Sequence, residues 1–161
     1  MHCIKKEKRV MKMIRKAISN DVDKIIYFIK ELAKYEKMSE LVTATSELIK
    51  EWIFEKKKAN VLFAVEDNKE VGYALYFYNY STFTGKAGLY LEDLFILPEY
   101  RHKGYGLELI NELKNICRNE KLGRFEWQCL NWNEPSIKFY EKLGAKQHNE
   151  WLIFRMDESQ F

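Results

Sequence analysis

The stretch YLEDLFILPEYRHKGYG, residues 90–106, limits the fold of this chain more than any other. Residues 89–97 form an apolar run with strand character that stops at Pro98. Beyond Gly104 and Gly106, the positions Leu107, Ile110, Leu113, Ile116 and Cys117 recur at three- and four-residue spacing, which predicts one buried helix face ending near Gly123. Strand, glycine turn and helix in that order set helix-start N–H groups and the positive end of a helix dipole beside the basic residues Arg101, His102 and Lys103. Such a place can hold an anion, because glycine lets the main chain close around it. The Lys-Ser/Thr pair of a Walker loop is absent and GxGxxG does not fit. Taken alone, RxxGxG also suits an ordinary surface turn.

The rest of the pattern alternates in the same way. Residues 13–16 read as a short first strand, and Val22, Ile25, Ile26, Ile29, Leu32 and Ala33 predict an amphipathic helix reaching Tyr35. Thr45 or Ser46 can cap a second helix that buries Leu48, Ile49, Trp52 and Ile53. Residues 61–66 and the aromatic-rich 71–80 read as strands joined by a polar turn, and residues 125–130 as another. Asn133 can cap a fourth helix over residues 136–143, stopped by Gly144. Residues 145–147 and 151–156 are expected to close the sheet as a pair of strands.

At 161 residues, with 47% hydrophobic and 32% charged side chains, one globular domain over residues 13–161 is expected. The net charge is +3, yet the first twelve residues hold five bases against Glu7 alone, so the remainder is close to neutral and carries no nucleic-acid footprint. Residues 1–12 are expected to be a basic, flexible extension. No segment has the length of a membrane span or a signal peptide core. Three cysteines at wide spacing and three scattered histidines suggest neither disulfides nor a metal site, and the cytoplasm is the expected location.

Downstream, Asn133-x-x-Ser136-x-x-x-Tyr140-x-x-x-Gly144-Ala145 sets three polar side chains on one helix face. By itself this also suits a capping Asn and a core Tyr. The joint order of strand, RxxGxG helix, strand and NxxSxxxYxxxGA, together with IKELAKYE at residues 29–36, resembles the GNAT family of acetyl-CoA-dependent N-acetyltransferases, within it the spermidine/spermine (diamine) and thialysine acetyltransferase branch. The resemblance spans about residues 13–156. It implies an α/β (α+β) GNAT fold: a mixed, strongly twisted sheet of six to seven strands with four helices, splayed near residues 92–95. It further implies acetyl-CoA as cosubstrate without a metal, and a homodimer.

The same resemblance implies the site residues. Main-chain groups of Leu94, Phe95 and Ile96 would face the thioester, the amides of His102, Lys103, Gly104, Tyr105, Gly106 and Leu107 would hold the coenzyme pyrophosphate, and Arg101 would be a further coenzyme contact. Asn133, Ser136 and Tyr140 would complete the coenzyme contacts. An alkyl ammonium with a pKa near 10.4 exposes its lone pair about once in a few thousand molecules at neutral pH, so a base is useful. Glu92 is the implied base and Tyr140 the implied donor to the departing sulfur. Asp93 points away from Glu92 in a regular strand, unless a bulge intervenes, and suits either a substrate contact or a dimer-facing role.

For the acceptor, Tyr35 and Glu36 match the family pair at the first helix end, and Trp127 and Gln128 are candidate pocket walls. Core packing explains Trp127 equally well. The acceptor expected is a small primary amine of the polyamine or diamine kind. Where polyamine enzymes have an acid after the third strand, this chain has Ser81, which keeps thialysine or lysine-like amino acids and peptide amines open as alternatives. A non-catalytic module that binds acetyl-CoA or nucleic acid is the alternative from another class.

Overall fold

The computed structural model describes residues 10–161, so most of the basic extension expected at residues 1–12 lies outside the described residues. Its last residue, Lys12, instead opens the first strand. The chain divides into two compact units, one ending at Trp127 and one covering Gln128–Phe161.

The first unit holds one mixed sheet of five strands in the order β1-β2-β3-β4-β5. These are β1 (Lys12–Lys16), β2 (Asn60–Glu66), β3 (Lys69–Ser81), β4 (Lys86–Ile96) and β5 (Phe125–Trp127). The first four pair antiparallel, and β5 runs parallel to β4. The turn between β2 and β3 is Asp67-Asn68, both left-handed at φ 47° and 67°, which suits a two-residue hairpin.

Two helices cover the sheet. The α1 helix (Val22–Tyr35) places Ile25 and Phe28 in a core with Ile53, Val61, Phe63, Val65, Tyr73, Phe95 and Leu97. Strand alternation then leaves the equally buried Leu62 and Ala64 for the opposite face. There α3 (Tyr105–Asn119) buries Leu109, Ile110 and Leu113 against the strands. Burial of each such side chain contributes about 1.5–3 kcal/mol. Between them, α2 (Ser46–Ile49) starts at Thr45, whose hydroxyl accepts the Leu48 N–H at 3.3 Å, and widens into a π turn over Lys50–Glu55.

An ion network fixes the start of α1. Arg15 on β1 donates to both carboxylate oxygens of Asp21 at 2.7 and 2.9 Å and also bonds Glu70 on β3. Asp21 is 4% exposed, and the Arg15 guanidinium holds its carboxyl far below the usual range.

The second unit is built on α4 (Glu134–Lys142). The Asn133 side chain accepts the Ser136 N–H at 3.4 Å as its cap, and Gly144 ends it at φ 83°. The two closing strands expected at residues 145–147 and 151–156 are not formed, and the strand expected over 125–130 ends at Trp127. The sheet therefore has five strands among the described residues, not six to seven. Strand propensity needs a neighbouring ladder to take up its N–H and C=O groups, and no strand pairs with these segments among the described residues.

Candidate functional site

The feature that organises the site is a bulge in β4. Leu75 of β3 pairs with Asp93 and its neighbour Tyr76 pairs with Leu91, so Glu92 is the extra residue with no partner opposite. A bulge reverses the side-chain phase along a strand. Asp93 accordingly lies on the same face as Tyr73 and Phe95, which cross-pair beside it, while Leu91 is buried outside that cluster. Glu92 is exposed. On the other edge, β5 pairs only with Leu89, Tyr90 and Leu91, so the ladder stops where the bulge begins. From Glu92 to Leu94, Phe95 and Ile96, β4 has a strand on one side only among the described pairings.

Three carboxylates meet at this opening. The Tyr73 hydroxyl donates to Asp93 at 2.6 Å. Burial raises the Asp93 carboxyl to about 6; Glu92 and Glu36 add to this by repulsion and the Tyr73 bond opposes it. Glu36, which ends α1, is also pushed up by burial. Burial, followed by the charge of Asp93, raises the Tyr73 phenol well above its ordinary value. A site with this excess of partly buried negative charge attracts an ammonium ion and lowers the cost of holding it.

Arg101 was expected to face the coenzyme. Its side chain instead turns toward the sheet: Nε donates to the Ile96 carbonyl at 3.0 Å, and the guanidinium lies 4.7 Å from the Tyr35 ring and 5.3 Å from the Phe95 ring. Tyr35 and Phe95 themselves stand 6.2 Å apart. Arg101 thereby ties the end of α1, next to Glu36, to the strand that carries Glu92 and Asp93.

The main chain that follows is shaped for an anion. His102 and Gly104 are left-handed at φ 60° and 91°, and Gly104 is the residue before α3. The first intrahelical bond runs from the Glu108 N–H to the Gly104 carbonyl at 3.0 Å, so the amides of Tyr105, Gly106 and Leu107 precede it. A Cβ built on Gly104 would meet nothing within 4 Å, so open space adjoins the turn. This nest of donors at a helix start fits a diphosphate. Tyr105 is buried with its hydroxyl on Glu66, and the Lys103 ammonium lies 3.9 Å from the same carboxylate. Gly106 is helical rather than part of the turn.

Trp127 pairs with Leu91, and its ring lies 4.8 Å from that of Phe125 at a tilt of 59°. Gln128, Asn133, Ser136 and Tyr140 belong to the second unit; there Asn133 is buried as a cap, Tyr140 is half-buried beside Phe139 at 5.4 Å, and Gln128 is exposed. Sequence reasoning missed Tyr73, Glu66 and Lys12, the residues that grip the site from behind. Tyr73 sits in an aromatic-rich strand whose rings look alike until the register is known.

A family model described as "Acetyltransferase (GNAT) family" matches residues 25–145. The chain is 33% identical over 156 residues to the "Thialysine N-epsilon-acetyltransferase" of Mus musculus, covering 89% of this chain and 91% of that protein. It is 30% identical over 158 residues to the "Spermidine/spermine N(1)-acetyltransferase-like protein 1" of Homo sapiens, covering 91% of this chain and 23% of that one. Among solved structures, an integron cassette protein from V. cholerae superposes with a TM-score of 0.76 at 26% identity, covering 91% of this chain and 92% of that chain. Among the described residues, no helix is long and apolar enough to cross a membrane.

Proposed function

Because the chain belongs to the GNAT family of N-acetyltransferases, we propose that it transfers the acetyl group of acetyl-CoA to a primary amine of a small cation of the diamine or polyamine kind. The observation that carries this reading is the convergence of Glu36, Glu92 and Asp93 at the β4 bulge. Two further carboxylates within electrostatic reach of Asp93 suit an acceptor with more than one ammonium group.

Acetyl-CoA supplies the acetyl group as an activated thioester. The amides of residues 102–107 hold its diphosphate, and the unpaired edge of β4 at Leu94, Phe95 and Ile96 offers main-chain donors to the carbonyl oxygen as it gains charge. Glu92 accepts a proton from the substrate ammonium, directly or through water, and so frees the nitrogen lone pair that attacks the thioester carbonyl. Glu36 and Asp93 hold the distal cation, and Tyr35, gripped by Arg101, fixes the helix end that carries Glu36. Tyr140 returns a proton to the departing sulfur; that assignment rests on the NxxSxxxYxxxGA pattern, as do the coenzyme contacts of Asn133 and Ser136. A phenol and a thiol have neighbouring ordinary pKa values, roughly 10 and 8.5, which makes the transfer chemically matched.

A second reading has its own support. The relative from Mus musculus is named for thialysine, and the family resemblance sets Ser81 where the polyamine enzymes carry an acid. A lysine-like amino acid has, besides the reacting amine, an α-ammonium that can satisfy the acidic site, but it also carries a carboxylate that the site repels. Coenzyme A release with putrescine, spermidine, thialysine, lysine and a short peptide, followed by the mass of each product, separates these readings. Acetylation of the diamine or polyamine with the highest kcat/KM supports the first; preference for thialysine supports the second. No turnover with any amine defeats both. The apolar run Trp151, Leu152, Ile153 and Phe154 is exposed and suits contact between two copies, so a homodimer is expected by light scattering.

A further inference from the structure

Lys12 stands on β1, far in sequence from every motif described above, yet its ammonium reaches the turn before α3 at three points. It lies 2.6 Å from the Lys103 carbonyl oxygen, 4.0 Å from the Glu108 carboxylate and 4.5 Å from the centre of the Tyr105 ring. β1 is positioned to deliver it, since Met11 and Asp67 exchange bonds of 3.0 Å, main chain to main chain and main chain to carboxylate, that pin the strand start to the β2–β3 turn.

The peptide between Lys103 and Gly104 is planar, so its C=O and N–H point in opposite directions. An ammonium that holds the carbonyl toward β1 therefore turns the Gly104 N–H away from β1. That control matters at this peptide in particular. Gly104 sits at φ 91° without a Cβ, and the conformational freedom that lets the turn form also leaves its orientation weakly fixed by sterics. Glu108 adds a second need, because a carboxylate in the first turn of α3 opposes any anion bound at the helix start. Lys12 lies between these two demands.

We propose that Lys12 is a positioning residue of the coenzyme site: its ammonium orients the Lys103–Gly104 peptide so that the Gly104 N–H faces the diphosphate, and it offsets the Glu108 charge beside it. This rests on the reading that residues 102–107 hold that diphosphate. Glu66 plays the matching part from β2, taking the Tyr105 hydroxyl and facing the Lys103 ammonium.

The test uses Lys12→Met, which keeps the stem and removes the charge, and Lys12→Arg, which keeps the charge. Each is assayed with acetyl-CoA and with the acetyl thioester of N-acetylcysteamine, which has no diphosphate. Lys12→Met raises KM for acetyl-CoA about 3- to 10-fold with kcat and the amine KM little changed, as befits loss of a charge-assisted bond at a partly exposed site, and Lys12→Arg restores most of it. The loss is confined to acetyl-CoA. An unchanged acetyl-CoA KM, or equal losses on both thioesters, overturns the proposal and assigns Lys12 a purely structural role. If wild type uses the truncated thioester with the same KM as acetyl-CoA, the diphosphate reading itself fails and the proposal with it.

Discussion

The Tyr73 hydroxyl donates to the Asp93 carboxylate across 2.6 Å, directly beside the bulge that Glu92 makes in β4. Without the bulge, the strand phase would carry Asp93 to the other side of the sheet, and Tyr73 would be a buried phenol with no acid to meet. The acidic opening is therefore a product of register as much as of composition.

The raised Asp93 carboxyl has a consequence for stability. Burial first, then Glu92 and Glu36, lift it from 3.8 to about 6. The folded protein thus keeps a proton that the unfolded chain has lost, so this group's contribution is fully present below its unfolded pKa and disappears as pH rises to about 6. Asp93→Asn removes the charge and retains an acceptor for Tyr73. We expect it to raise the unfolding free energy at neutral pH by about 1–3 kcal/mol, and to converge with wild type toward pH ~4. Urea titrations across that range check this; parallel curves for the two proteins would count against it.

Asp21 predicts the opposite slope. Its carboxyl is held down by the Arg15 guanidinium, so its contribution is present above the unfolded value of 3.8 and is lost as the pH falls below that. Removing one partner of a largely buried pair leaves the other uncompensated. Asp21→Ala should cost about 2–4 kcal/mol at neutral pH and flatten the acid limb of stability. Denaturant midpoints measured from acid to neutral pH report both effects.

At Gly104, a new Cβ has open space, so any loss comes from the left-handed backbone alone. Gly104→Ala should cost about 1–2 kcal/mol in holding the turn and raise KM for acetyl-CoA, with the amine KM little altered. Steady-state kinetics with each substrate varied in turn make the comparison. A variant with unchanged KM for acetyl-CoA would place the diphosphate elsewhere.

Tyr140→Phe removes the hydroxyl and keeps the ring that lies beside Phe139. If that hydroxyl protonates the departing sulfur, kcat falls about 100-fold or more while coenzyme affinity stays near wild type. Direct binding of coenzyme A by calorimetry, alongside turnover, tells a donor from a coenzyme contact.

The local parts of this fold were legible. Val22 to Tyr35 showed its helix by spacing, Thr45 and Asn133 announced the caps they form, and the glycine turn before α3 stood where RxxGxG put it. What stayed hidden depends on partners distant in sequence. The bulge at Glu92 exists only in the register with Leu75 and Tyr76, and no residue in YLEDLFIL marks it. The motif gave no sign of where the side chains of Arg101, Lys103 and Tyr105 go, since their partners Ile96, Tyr35 and Glu66 lie on other elements or outside the motif. Lys12 looked like the end of a loose basic arm, since its bond to Lys103 spans 91 residues. The segment WLIFRM had strand composition, but strands form in pairs.

The central claim is that the Glu92 carboxylate at the β4 bulge takes a proton from the substrate ammonium and thereby frees the amine that attacks. It is tested most directly by kcat/KM against pH for wild type and Glu92→Gln, using the best amine from the substrate panel. With the base in place, the abundant ammonium form is usable and the profile is nearly flat from pH ~7 to ~9; without it, only free amine reacts and the rate climbs roughly tenfold per pH unit. Superimposable profiles for the two proteins would contradict the account.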